Sequence, residues 1–474
     1  MARVHATLKE HAIKKCGCDK PGWNAPYRKQ HIHLTRFRLD RDKCGCDWPL
    51  GPGLIEDFIH KVYCCTLNKH IIEHVKMIKN LSHTFCEHDT KSLLKQNTTC
   101  MKKGGPHISP SWQHLCYWEL GYGYYPYVPE EQLWPEVEGW LVKEQPLGHA
   151  IGQSLYVGML YDATVEILRE NWRTPSERLT VDEWVSSGRW MLGRAGDGRP
   201  TTVVVEGRVK RTRKMRGVDG ALMTDATIRA ELETPSPDTF SIIQKAEAGK
   251  IRPVAKTGNK VNRKMDCLSG WLEASLHNNT FTSLYARKGE RAIDQKLMAI
   301  SADRSIYKVP LDQKNFDNHQ SKPAILATVR AILDFMASRV PEDYQRVGEA
   351  LWLSLLMPTE VICGKKKSYW FQGMPSGWRW TAILDTLLNA ASFRVVGCLV
   401  RTFTRMQVSP ISPYFLGDDV TFGIRAKAVI PHILSCYNWL GYEVNAEKTF
   451  VSRDRTEFLR RVYAKDTVIG YLAR

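Results

Sequence analysis

Apolar positions change their period several times along this chain, and each change marks an element. Val203 to Val205 is a short apolar run leading into Arg208, Lys210, Arg211, Arg213, Lys214 and Arg216, the pattern of a strand entering a basic hairpin across Thr201 to Gly217. Lys245 to Val254 is an extended run with cations grouped around a glycine. Ser305 to Pro310 reads as a strand that ends at Leu311-Asp312-Gln-Lys-Asn-Phe-Asp317. Behind it Ile325, Leu326, Val329, Ile332, Leu333 and Met336 recur at helical spacing, so the strand feeds an amphipathic helix. Ser376 and Gly377 open a long apolar segment, Ala382 to Val400, and suit a mobile loop at a helix N-terminus. Tyr414 to Phe422 is an apolar strand, a Gly-Asp-Asp turn and a second apolar strand: a hairpin with two adjacent carboxylates at its tip. Turn formers at Gly193 to Pro200 and Thr234 to Thr239 mark boundaries or surface loops. There is no internal repeat and no low-complexity tract. No uninterrupted apolar run approaches the roughly 18 residues that span a bilayer, which excludes a membrane span.

Composition narrows the class. The 474 residues are 43% hydrophobic and 25% charged, enough to bury a sizeable core. Against 50 acidic residues stand 67 Lys and Arg, a net charge of +17 that favours a polyanionic partner, nucleic acid first, over a small neutral ligand. A basic but otherwise ordinary surface is the alternative on charge alone. The basic N-terminus has no apolar stretch behind it, so secretion is not expected. Nine of 13 Cys and 11 of 15 His lie in the first 116 residues, among them Cys16, Cys18, Cys44 and Cys46 in two Cys-Gly-Cys-Asp tetrapeptides. Two readings stay open there: a small structural Zn2+ site or unliganded thiols in a reducing compartment, the spacing being unlike common zinc fingers. Trp112 to Trp140 is an aromatic block that either stacks on bases or packs an irregular core.

Candidate chemistry concentrates after Lys245. Lys245, Lys250 and Arg252 are cations able to hold a triphosphate, and Arg208, Lys210, Arg211 and Arg213 are candidates for RNA phosphate contact. Asp312, at the end of a buried strand, either binds a cation or caps the following helix. Ser376 either meets phosphate with Gly377 or is an ordinary N-cap.

Taken in order, these segments resemble the motifs of viral RNA-dependent RNA polymerases: Lys245 to Arg252 the cationic fingers motif, Asp312 and Asp317 the first palm aspartate and its partner, Ser376, Gly377 and Thr381 the Ser-Gly-x-x-x-Thr motif, and Gly417 to Asp419 the catalytic hairpin. Gly441 to Lys448 resembles the late palm lysine segment, and Phe458-Leu-Arg460-Arg461 the primer-grip turn. The resemblance implies an α+β right-hand fold of fingers, palm and a short or missing thumb, with an antiparallel palm sheet and a Cys/His-rich N-terminal region. It divides the chain at 1–200 (N-terminal region), 201–300 (fingers), 301–340 (palm), 341–375 (fingers insertion), 376–463 (palm) and 464–474 (stub of a thumb).

It further implies two Mg2+ or Mn2+ ions held by Asp312 and Asp418 with Asp419 supporting, and Lys448 as a proton donor to pyrophosphate. NTP would be bound by Lys245, Lys250, Arg252, Asp317, Ser376, Gly377, Thr381, Asp385 and Asn389, and RNA would also meet Arg460 and Arg461. Expected partners are template and product RNA, NTPs, and a capsid, viral or host protein completing the thumb, in host cytoplasm or virion interior. Two features depart from the family. Asp385 stands where the family usually has Asn, with Asn389 one turn on, which puts the ribose-reading network with Asp317 in doubt. Only 11 residues follow Tyr463, so the thumb comes from the N-terminal half, another chain or a longer polyprotein. A reverse transcriptase is the alternative enzyme, although the family would carry an aromatic-x-Asp-Asp hairpin where this chain has Leu416-Gly417-Asp418-Asp419. A non-catalytic nucleic-acid scaffold is the third class.

Overall fold

The computed structural model describes residues 128–469 apart from 145–146, 149, 176–178, 193–199, 206–207, 214–222, 246–251, 286–288, 446–448, 460 and 465–466. Helices and strands alternate as α1 (Glu130–Val137), α2 (Gln153–Asn171), α3 (Val181–Ser186), β1 (Pro200–Val205), β2 (Arg208–Arg213), α4 (Asp225–Glu233), β3 (Thr239–Lys245), β4 (Arg252–Lys256), α5 (Asn259–Ser275) and α6 (Gly289–Ala302). There follow β5 (Tyr307–Leu311), α7 (Phe316–His319), α8 (Lys322–Ala337), α9 (Glu342–Leu356), β6 (Glu360–Cys363), β7 (Lys366–Tyr369), α10 (Thr381–Thr404), β8 (Ile411–Leu416), β9 (Asp419–Ile424), α11 (Val429–Leu440), β10 (Arg455–Phe458), β11 (Arg461–Ala464) and β12 (Thr467–Ile469).

Four sheets result. β1 and β2 form the expected basic hairpin, with Val205 opposite Arg208. β4-β3-β6-β7 is a four-stranded sheet in which β6 lies parallel to β3, so residues 360–369 share a sheet with the cationic hairpin. β5-β9-β8 is antiparallel, and β10-β11-β12 stands beside it. β5 is an edge strand of its sheet, which is why Pro310 is tolerated in it.

Local signals account for the helix boundaries. α8 starts where the Ser321 hydroxyl accepts the Ala324 N–H at 3.3 Å and Pro323 occupies the first turn, so Asp312 is not its cap. α3 is closed by a capping box between Thr180 and Glu183. α10 begins only at Thr381, with Trp380 as cap and no side-chain cap bond, so Ser376 lies five residues upstream rather than at the helix N-terminus.

α10 also corrects the membrane argument. Over 24 residues it is long and apolar enough to cross a bilayer, which the interrupted apolar run had concealed. It is instead a core helix, with 83% of its most apolar window buried in the protein, packed against α2, α8 and α11. The main core runs from these helices through α5 to both larger sheets. Trp134 and Trp140 are buried in it, which supports the packing reading for that end of the aromatic block; 112–127 lie outside the described residues.

Candidate active site

Sheet register brings the two acidic segments together. Leu311 pairs with Val420 across β5 and β9, so Asp312, the next residue, stands beside Asp419, the first residue of β9. Leu416 pairs with Asp419 across a two-residue turn of Gly417 and Asp418. Gly417 has φ +59, the left-handed value that glycine takes without strain. Asp312, Asp418 and Asp419 thus share one end of one sheet. Asp312 and Asp419 line a small cleft together with Glu457 and Phe458 of β10.

α10 and the chain after α11 hold this end in place. Thr386 accepts the Gly417 N–H and Asn389 donates to the Gly417 carbonyl, each at 3.0 Å. The other amide atom of Asn389 accepts from Gln313 at 3.0 Å, so one fully buried side chain bridges the neighbours of Asp312 and Asp418. Asn445 donates its side-chain amide to Asp312 at 2.9 Å and its N–H to the Asp312 carbonyl at 2.8 Å, and Thr449 accepts the Asp312 N–H. Sequence reasoning missed Asn445, Gln313, Thr386 and Thr449. Asn445 lay inside the segment singled out for its lysine, where an amide could have been considered.

Asp385 is 6% exposed and has one carboxylate oxygen buried with no hydrogen-bond partner. Burial first, then the charges of Asp317 and Asp418, push its carboxyl well above the usual range. Asp317, Asp385 and Asp418 therefore form one repelling group, an arrangement that a cation would relieve. In stability terms, a carboxyl raised on folding destabilises the fold progressively as pH climbs from its unfolded value, about 4, to its folded value. Asp385→Asn removes that cost. Its melting temperature should exceed the wild type's by a few degrees at pH 8 and by clearly less at pH 5; a constant offset across pH would refute the charge explanation.

The Ser376 loop is docked rather than free. Ser376 Oγ accepts the Ala255 N–H of β4 at 3.0 Å, and Thr257 donates to the Gly377 carbonyl at 2.9 Å. Thr381 turns its hydroxyl back on the carbonyls of Pro375 and Trp378. One stripe of α5 completes the dock: Asn262 accepts the Arg379 N–H at 2.7 Å, Asp266 and Glu273 pair with the Arg379 guanidinium, and Ser269 accepts from Trp380 at 3.0 Å. Asp238, 2% exposed, accepts from Trp378 Nε1, Gly258 N and Thr239 N, and burial pushes its carboxyl up to about 6. Nothing in the sequence marked Asp238, which lay in a segment that read as a plain loop.

The other expected residues fall as follows. Lys245 and Arg252 face each other at the end of the β3–β4 hairpin next to residues 246–251, both exposed. Arg208 is exposed on β2, and Lys210, Arg211 and Arg213 belong to the same strand. Arg461 grips Asp294 of α6 through both carboxylate oxygens at 3.1 Å. Lys250, Lys448, Arg460, Cys16, Cys18, Cys44 and Cys46 lie outside the described residues. Among the described residues no group of three or more His, Cys, Asp or Glu is placed to hold a metal by itself. A pair of carboxylates at a strand end nonetheless fits Mg2+, which keeps waters and takes substrate phosphates instead of an all-protein cage.

This fold is similar to the right-hand fold of viral RNA polymerases of known structure. The match is to a specific branch: residues 271–474 match the viral RNA-directed RNA polymerase family. A probable RNA-directed RNA polymerase of Giardia lamblia virus is 26% identical over 272 residues, 56% of this chain; the chain spans 14% of that relative's length. Among solved structures, the RNA-dependent RNA polymerase of a human picorbirnavirus superposes with TM-score 0.51 at 15% identity, covering 78% of this chain and 69% of that one. The RNA-dependent RNA polymerase of BmCPV at elongation state gives TM-score 0.50 at 14% identity, covering 69% and 29%. Family, relative and fold agree with the resemblance carried by the motifs.

Proposed function

We propose that this chain is the template-directed RNA polymerase of an RNA virus, joining NTPs on an RNA template for genome replication and transcription. The observation that carries the reading is the register of β5-β9-β8, which gathers Asp312, Asp418 and Asp419 at one sheet end. Bound Mg2+ or Mn2+, two ions held by these aspartates and the substrate phosphates, would supply activation of the attacking 3′-oxygen and neutralisation of the leaving pyrophosphate.

The protein's own contribution is positioning. Asn445 fixes one carboxylate oxygen of Asp312, and Thr386 and Asn389 fix the turn that carries Asp418. The hairpin with Lys245, Lys250 and Arg252 would take the triphosphate, and Asp317 the ribose, with Asp385 replacing the usual amide beside it. Lys448 is proposed as the proton donor to pyrophosphate. We place residues 201–300 and 341–375 in the fingers and 301–340 and 376–463 in the palm, with template and product RNA between them. Work in host cytoplasm or within a virion is in keeping with this role.

The test is incorporation of NTPs and dNTPs on primed and unprimed RNA by the purified chain, with and without Mg2+. NTP incorporation that requires the metal is expected. A preference for dNTPs would make the enzyme a reverse transcriptase, absent incorporation with intact RNA binding would make it a scaffold, and metal-independent incorporation would overturn the two-ion assignment.

A further inference from the structure

The end of the β5-β9-β8 sheet opposite the aspartates carries charge that catalysis does not explain. β5 begins there at Tyr307, paired with Ile424 at the end of β9. Arg304, Arg425, Lys427 and Arg453, from the three loops that meet at this end, are all exposed. The Arg453 guanidinium lies 4.6 Å from the Tyr307 ring centroid and bonds its hydroxyl, and Lys427 Nζ lies 5.9 Å from the same ring. Asp303 is held below the usual carboxylate range by its bonds to Ser305 and then by the charge of Arg425. The two acids on this face are folded back on hydroxyls, Asp303 on Ser305 at 2.6 Å and Asp454 on Ser452 at 2.5 Å.

A buried lysine holds the cluster together. Lys308 is 1% exposed, and its ammonium donates to the carbonyls of Asp303, at 2.6 Å, and Arg453. Its backbone exchanges both hydrogen bonds with Ser452, at 2.7 and 3.1 Å. Burying an ammonium is costly unless its protons are satisfied, and here their satisfaction ties the 303 loop to the 453 loop. Like charges that would otherwise drift apart are thereby kept on one face.

We infer that this face is a second RNA-binding surface, which grips the phosphates of single-stranded RNA away from the catalytic end, with Tyr307 between two of the cations. RNA is favoured over an acidic protein because a ring flanked by cations suits stacking between phosphate contacts, whereas a protein interface needs an apolar centre. The inference rests on the polymerase reading only in naming RNA as the polyanion.

The experiment measures the salt dependence of binding of a single-stranded RNA oligomer to the full chain. Each phosphate contact on a single strand adds about 0.7 to the slope of log K against log salt. Replacing all four cations with Gln should therefore make the slope less negative by about 3, while turnover on a short primed template stays unchanged. Arg425→Gln with Lys427→Gln, which leaves the ring contact of Arg453 in place, should give about half that change and serves if the fourfold variant fails to fold. An unchanged slope in the folded variant overturns the proposal, as does a loss confined to polyglutamate, which would mark an acidic-protein site. A wild-type chain that binds RNA by this face yet incorporates no NTP would overturn the polymerase reading and leave this one standing.

Discussion

Asp418→Ala is expected to lower NTP incorporation by roughly 1,000-fold, about 4 kcal/mol of transition-state stabilisation, without unfolding the protein. The size follows from the proposed role of the side chain: it stands at the tip of the β8–β9 turn as one of the carboxylates proposed to share cations with Asp312. Asp385 is buried and Asp419 lines the cleft on the β5 side, so neither is placed to take over. The sign of the stability effect separates a catalytic loss from a folding loss. Asp418 is one of the charges that make ionisation of Asp385 unfavourable, so removing it relieves repulsion, and the variant should melt no lower than the wild type. Incorporation assays and thermal melts on one preparation check both halves. Substantial incorporation by a folded Asp418→Ala chain would show that the metal ligands are wrongly assigned.

What could be read from the sequence and what could not divide along a physical line. The Gly-Asp-Asp hairpin was legible because strand, turn and strand are contiguous, and alternation plus a glycine at the turn encode them locally. The convergence of Asp312 on that hairpin rested on family resemblance until the β5–β9 register supplied it. The supports were hidden because each is a long-range pairing: Asn445 reaches Asp312 across 133 positions, and Trp378 reaches Asp238 across 140. Amides and hydroxyls carry no periodic signal, and nothing in the sequence showed that both amide atoms of Asn389 bond to the two strand ends. The same blindness let Ser376 pass for an N-cap, since a Ser before an apolar helix looks alike whether it bonds its own helix or a strand 121 residues away.

Gly377→Ala should produce the second large effect, and on a different quantity. A Cβ at Gly377 would lie 2.1 Å from the Ala255 carbonyl oxygen and 3.1 Å from the Thr257 nitrogen, both backbone atoms of or beside β4. Neither can rotate away as a side-chain tip would, so the loop must lift off the strand. Lifting it breaks the Thr257 bond to the Gly377 carbonyl and loosens the Ser376 bond to Ala255. Overpacking of this kind costs about 1–3 kcal/mol, so the melting temperature should fall by several degrees. The α5 stripe keeps its grip on Arg379 and Trp380 further along, which confines the displacement to the start of the loop. Because β4 begins at Arg252, the displaced loop and the cationic hairpin would no longer present a common surface to an incoming nucleotide. The apparent KM for NTP should therefore rise at least tenfold, while RNA affinity, set largely by cations elsewhere on the molecule, changes little. A variant with unaltered KM and an unaltered melt would mean that the loop does not depend on the close approach to β4, and that docking of Ser376 on that strand has no part in nucleotide binding.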